Sequence, residues 1–198
     1  MKLKLNQGKI FLSLPSIIKH LLTLDSRIML AGGAVRSLVD HKAVEDYDLF
    51  FQSKEALNEC KTLLSSNLFR GTVKKLFECP EGKLTTYRIG SVKIQLISER
   101  FYKSVDALLD SFDFTICQFA LTNEPEEEYI LHTTRKAIRH TRKKELHVHK
   151  LEYPAASLKR MQKYSKKGYD TRDVYKEFTH RLLSQPTEVV DMFRMYID

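Results

Sequence analysis

The chain has 198 residues, 42% of them hydrophobic, and a formal charge of +8 at pH 7. That length suits one large domain or a domain with a helical appendage, and the apolar content excludes wholesale disorder. No apolar run approaches the roughly 18 residues of a membrane span, the start shows no signal-peptide pattern, and Cys60, Cys79 and Cys117 are too few and too scattered for a disulfide framework or a zinc knuckle. The expectation is a cytoplasmic protein with no membrane partner; the sequence does not fix its oligomeric state.

The elements follow in chain order. "SRIMLA" (26–31) is a short apolar strand that runs into Gly32-Gly33, and "AVRSLVD" reads as a short helix. "EDYDLFF" alternates, so Asp46, Asp48 and Phe50 share one face of a strand and Tyr47, Leu49 and Phe51 the other. "SKEALNECKTLLSSN" is helical, with Ser53 as N-cap. "TVKKLFEC", "LTTYRIG" and "VKIQLIS" are strands, the first two joined by the turn "PEGK". "SVDALLDSF" is a short helix, "DFTICQFALT" a strong strand, "NEPEEE" an acidic loop and "YILH" one more strand. After residue 132 the character changes. Four helical stretches follow, "TTRKAIRHTRKKE", "AASLKRMQKYSKKG", "TRDVYKEFTHRLLS" and "TEVVDMFRMYI", punctuated by Pro154 and Pro186. The prediction is an α+β front part over residues 1–132 and a basic helical region over 133–198.

The charge is uneven. From Arg135 to Arg181 there are fifteen Lys and Arg against five Asp and Glu, so the rest of the chain is close to neutral. A basic block beside a neutral half points to a polyanion, and RNA is the first candidate. Lys143, Lys144, Lys159, Arg160, Lys163, Lys166 and Lys167 would make salt-sensitive phosphate contacts, with Tyr164 and Tyr169 either stacking on bases or packing inside. A solvated helical face is the plainer reading of the same charges.

Asp46 and Asp48 are the sharpest feature of the front part. Strand residues two apart point the same way, and two such carboxylates can hold one or two Mg²⁺ or Mn²⁺ ions, which take oxygen ligands. Gly32-Gly33 would let backbone N–H groups approach an anion. Arg36, one helical turn on, would clamp a phosphate or pair with Asp40. His147-x-His149 has the look of a zinc pair, yet no Cys or third His is close in sequence, so a surface strand is expected.

Taken together, "GGAVRSLVDHKAVEDYDLFF" resembles the first motif of the DNA-polymerase-β-like nucleotidyltransferases. It is nearest the branch of bacterial poly(A) polymerases and the CCA-adding enzymes of bacteria and eukaryotes, where the pattern is G-G-x-V-R-D, a gap, then D-x-D. "DFTICQFAL" (113–121) is similar to that branch's R-R-D-F-T-I-N-A-x-A motif, and "LKRMQKYSKKGY" is similar, more faintly, to the arginine-rich helix after the head. The resemblance covers roughly residues 28–121. It implies a nucleotidyltransferase-type mixed β-sheet with flanking helices. It further implies two-metal catalysis on Asp46 and Asp48, phosphate contacts at Gly32, Gly33 and Arg36, a nucleotide contact at Asp113, ATP as the favoured donor, and an RNA 3′ end, tRNA among the candidates, as acceptor. The chain departs from the pattern at Ser37, at Ser111-Phe112 in place of the arginine pair, and at Gln95, where the family often has a third carboxylate. No E-D-x-x-R motif is visible.

Two other readings stay open. The same fold could transfer nucleotides to a protein or make short or cyclic oligonucleotides. The departures could also mark a decayed site in an RNA-binding or partner-binding module.

Overall fold

The computed structural model describes residues 2–6, 13–66, 72–124 and 128–183. Eight strands form one mixed sheet: β1 (Lys2–Asn6), β2 (Ile28–Ala31), β3 (Tyr47–Phe51), β4 (Val73–Glu78), β5 (Leu84–Ile89), β6 (Val92–Ile97), β7 (Phe119–Glu124) and β8 (Glu128–Thr134). Their spatial order is β1-β8-β7-β2-β3-β6-β5-β4. The β3–β6 pair is parallel and the others are antiparallel. The helices are α1 (Ser16–Leu24), α2 (Gly33–Val39), α3 (Lys54–Ser65), α4 (Val105–Ser111), α5 (Arg135–Lys143), α6 (Pro154–Lys166) and α7 (Arg172–Leu183). The α+β expectation holds, with a mixed sheet flanked by helices.

The strand period divides the core between the two faces. Ile28, Leu30, Leu49, Phe51, Ile94 and Leu96 face α1, α2 and α3 in the main cluster. Their alternates Met29, Ala31, Phe50 and Ala120 face the other way, against Leu108 and Leu109 of α4. Burial of this kind is worth about 25 cal/mol per Å² of apolar surface. The second face is covered by a helix of only seven residues, Val105–Ser111. That leaves room for a cleft on the side to which Asp48 and Phe50 point.

Local signals explain several boundaries. Ser53 accepts the Ala56 N–H at the start of α3, as expected of an N-cap, and Ser104 does the same for Ala107 at α4. Thr134 caps α5, whose end is a left-handed Lys144.

The segment read as one strand, 113–122, is different. Phe114 makes an isolated bridge to Val148, Thr115–Cys117 form a 3-10 turn, and the strand starts only at Phe119. Its β-branched and aromatic residues fit a strand, but Phe114, Ile116 and Cys117 are drawn into a separate core with Leu146, Met161, Tyr164, Tyr169, Val174 and Phe178. Packing against the later helices overrides the local preference. The same cluster joins the basic helices to the front part. The helix expected at "TEVVDMFRMYI" and part of the "NEPEEE" loop lie outside the described residues.

Candidate active site

Asp48 sits in β3 opposite Ala31 of β2 and in register with Gln95 of β6. In both pairings the partners' side chains stand on the same face. Asp46 lies one residue before β3 and is half-buried. One carboxylate oxygen of Asp48, Oδ1, is buried with no hydrogen-bond partner. Burial, and then the neighbouring charge of Asp46, push the Asp48 carboxyl up to about 7, with Lys163 and Lys93 opposing weakly. An orphaned carboxylate oxygen in a protein interior is costly unless something binds it.

The cleft that Asp48 lines has a volume of about 300 Å³. Gly32 and Gly33 form its floor at the turn into α2. Gly32 has φ 77°, which a side chain would strain, and a Cβ there would sit 3.8 Å from the Phe112 ring. Its N–H donates to the Phe119 carbonyl (2.8 Å), tying the turn to β7. No side chain caps the start of α2. The chain thus brings the glycine turn and the strand carboxylate into one cleft.

The opposite wall comes from the second motif and from α6. Asp113 is buried, and its Oδ2 accepts a 2.6 Å hydrogen bond from Nε of Arg160. Arg160 also donates to Oγ of the buried Ser157 (3.2 Å) and lines the cleft itself. The sequence lacks arginines at positions 111 and 112, and the structure supplies a guanidinium to Asp113 from α6 instead. From sequence alone Arg160 falls among the cations expected to contact RNA phosphates. Its position in the cleft had no local signal, because it depends on a packing 47 residues away in the chain.

Arg36 is not among the cleft-lining residues. It is buried, donates to the Ile116 carbonyl (3.2 Å), and its guanidinium lies 5.1 Å from the Tyr164 ring centre and 5.8 Å from that of Tyr169. Nor does it pair with Asp40, which takes Lys42 at 3.1 Å. Tyr164 and Tyr169 are buried in the second core, and the Tyr164 hydroxyl meets Cys117 Sγ at 3.0 Å. Of the two roles weighed for these tyrosines, internal packing is the one observed.

The remaining cations divide. Lys167 and Lys163 of the α6 end reach Glu45, beside Asp46, at 2.8 and 3.6 Å. Lys144 places its ammonium 4.4 Å from the Tyr169 ring centre, Lys143 pairs with Glu145 at 3.8 Å, and Lys159 and Lys166 are exposed. At the cleft's mouth Arg100 pairs with Glu152 at 2.7 Å. The expected H-x-H strand is not formed: His149 turns to Asp110 (2.9 Å) while His147 stacks on His140.

A family model described as Gabija anti-defense 2 matches residues 5–144. A protein of Bacillus phage SPbetaL7 with that name is 27% identical over 147 residues, covering 71% of this chain and 33% of that protein, so the chain spans about a third of its relative's length. Among solved structures, the Thermotoga maritima CCA-adding enzyme complexed with tRNA superposes with a TM-score of 0.58 at 18% identity, over 81% of this chain and 40% of that one. A CCA-adding enzyme in complex with ATP gives 0.62 at 17% identity, over 83% and 41%. At such identities the likeness is one of fold, that of the nucleotidyltransferase head.

Proposed function

The chain belongs to the Gabija anti-defense 2 family, and we propose that it is a nucleotidyltransferase. It would transfer a nucleotide from a nucleoside triphosphate, ATP favoured, to an RNA 3′ end, with tRNA among the candidate acceptors. The observation that carries this reading is the buried, unpartnered Asp48 Oδ1 in the same cleft as the Gly32-Gly33 turn and the Asp113–Arg160 pair.

The donor set fits a hard divalent cation. Burial and then the Asp46 charge raise the proton affinity of Asp48 when no cation is present, and one Asp48 oxygen is unpartnered. Asp46 and Asp48 would hold Mg²⁺ or Mn²⁺, with Gln95 beside them as a neutral oxygen donor. When bound, the ion supplies charge neutralisation for the attacking and leaving oxygens. With the Gly32 N–H already given to Phe119, the uncapped start of α2 at Gly33 would hold the triphosphate. Asp113, fixed by Arg160, would accept a ribose hydroxyl. Arg160 lines the cleft and keeps donors beyond those used on Asp113 and Ser157, which would be available to the nucleotide. Arg36, with no place in the cleft wall, acts as a positioning residue that braces the α2 turn against Tyr164. In the reaction the acceptor hydroxyl gives its proton to solvent water and its oxygen bonds to the α-phosphorus. The bond to pyrophosphate breaks. Placement of the groups contributes most of the acceleration.

The phage relative's name suggests a setting in which this activity serves to counter the Gabija defence. The acceptor then decides between RNA and the two alternatives, a protein or a small nucleotide product. Incubation with total RNA and each labelled triphosphate in turn, beside an Asp46→Ala/Asp48→Ala control, tests the reading. Label in RNA that is absent from the control supports it, and label in protein or a small product redirects it. No transfer, together with no rise in melting temperature from Mn²⁺ and triphosphate, defeats it in favour of a binding module.

A further inference from the structure

His140, Glu145 and His147 converge where α5 ends. The left-handed turn at Lys144 folds the chain back, and one ligand atom from each of the three lies within 4.8 Å of the others. The two imidazoles stack with centres 3.9 Å apart and planes at 28°. His147 Nε2 lies 3.4 Å from Glu145 Oε2. Around a tetrahedral Zn²⁺ with bonds of about 2.0–2.1 Å, neighbouring ligand atoms stand roughly 3.4 Å apart.

The tautomer of His140 is set by its neighbours. Arg139 donates to Nε2 (3.1 Å), so Nε2 carries the lone pair and the proton is on Nδ1. Nδ1 therefore donates to Thr115 Oγ1 (2.8 Å), and Thr115 Oγ1 approaches the His147 carbonyl at 3.5 Å. A metal-ligating histidine is usually held in this way, with its second nitrogen donating to a fixed oxygen. A cationic group already occupies the lone pair that an ion would take.

We propose that His140 Nε2, His147 Nε2 and Glu145 form a site for a borderline-soft divalent ion, Zn²⁺ being the expected occupant, separate from the carboxylates of the cleft. Arg139 moves off Nε2 and the His147 ring tilts out of the stack. Arg139 is exposed and the His147 side chain is 44% exposed, so both have room to move. With three protein ligands, a water completes the shell. The ion pins the chain after α5 to Thr115, two residues from Asp113, so it braces the cleft wall from behind. The site does not depend on the nucleotidyl-transfer reading.

The test uses the full chain after dialysis against a chelator. Asp46→Asn/Asp48→Asn removes the cleft carboxylates as competing ligands. In that variant one equivalent of Zn²⁺ is expected by elemental analysis, with a raised melting temperature that Mg²⁺ does not reproduce and visible Co²⁺ bands of a low-coordinate site. Adding Glu145→Gln and His147→Gln, both near the surface, is expected to weaken Zn²⁺ on the order of a hundredfold or more. The metal-free melting temperature should stay in place, because buried His140 and its bond to Thr115 are retained. No Zn²⁺ equivalent in the first variant overturns the site, as does Zn²⁺ affinity unchanged in the second.

Discussion

Helices α5 and α6 look alike in sequence, and the fold uses them in opposite ways. Both are basic, and neither has an acidic residue in its first turn. The inner side of α6 faces the cleft. Arg160 holds Asp113, and Lys163 and Lys167 hold Glu45 next to the D-x-D pair. The charges of α5 point away. Arg135, Arg139, Arg142 and Lys143 line a shallow outer groove around Ile138. Equal charge density therefore does not mean equal role. In α6, cations balance a cluster of acids that would otherwise repel one another. Among the described residues no such acids stand opposite α5, apart from Glu145 at its end, and its outer face presents these cations to solvent.

The sharpest way to break this contrast is to remove the acids that α6 serves. Asp48→Ala is expected to cut nucleotidyl transfer by about 10³-fold or more, because metal and triphosphate positioning go together. Single-turnover assays with the preferred triphosphate measure it. Activity within tenfold of wild type would place the chemistry elsewhere.

The same acid gives a stability test. Its carboxyl is raised from 3.8 to about 7. Between those values the native chain keeps a proton that the unfolded chain has lost, so metal-free stability falls as pH rises through the window. Asp48→Asn should therefore stabilise the metal-free protein by roughly 2–4 kcal/mol at pH 8 and by almost nothing at pH 4. Denaturant melts in chelator at both pH values decide it. An Asn effect equal at the two pH values would mean that the carboxyl is not strained by burial.

Arg160 comes next. Arg160→Gln should weaken kcat/KM for the triphosphate about 10–100-fold, and Arg160→Lys should recover only part, since Lys keeps the charge but not the planar donor fork. RNA affinity should hardly change. If instead RNA binding fell and triphosphate use did not, α6 would be an outward helix like α5, and the contrast would collapse.

How much of this was legible in the sequence follows from the range of each interaction. The face shared by Asp48 and Phe50 is dictated by the strand period, and the Gly32 turn by backbone sterics, so both could be read locally. The caps at Ser53 and Ser104 obey the same logic, although only Ser53 was singled out. The break at Thr115–Cys117 could not be read, because local preference favours a strand there and the decisive partners, Met161, Tyr164 and Phe178, come more than forty residues later. Arg36 is the same kind of case. Its spacing from the glycines suits a phosphate clamp, but Tyr164 and Tyr169 fold over it. The His140–His147 stack was hidden by the left-handed Lys144, which reverses the chain between them. The strand β1 and helix α1 gave no clear pattern in the first 24 residues and were not assigned from sequence.

The smallest expected effect tests the outer half of the contrast. Arg135 and Arg142 lie on the α5 groove away from the cleft, and neither makes an ion pair among the described residues. If that face meets RNA, each contributes by releasing counterions from a phosphate, which is a salt-dependent gain without base preference. Arg135→Gln/Arg142→Gln should then weaken RNA binding several-fold at about 0.1 M salt and lower the slope of log K against log salt by up to about two. Triphosphate affinity and melting temperature should not move, because exposed cations of this kind stabilise a fold little. A titration of labelled RNA at three salt concentrations separates the outcomes. An unchanged slope would leave the α5 face as plain solvated surface and move the search for the acceptor's path to the exposed lysines of α6, Lys159 and Lys166.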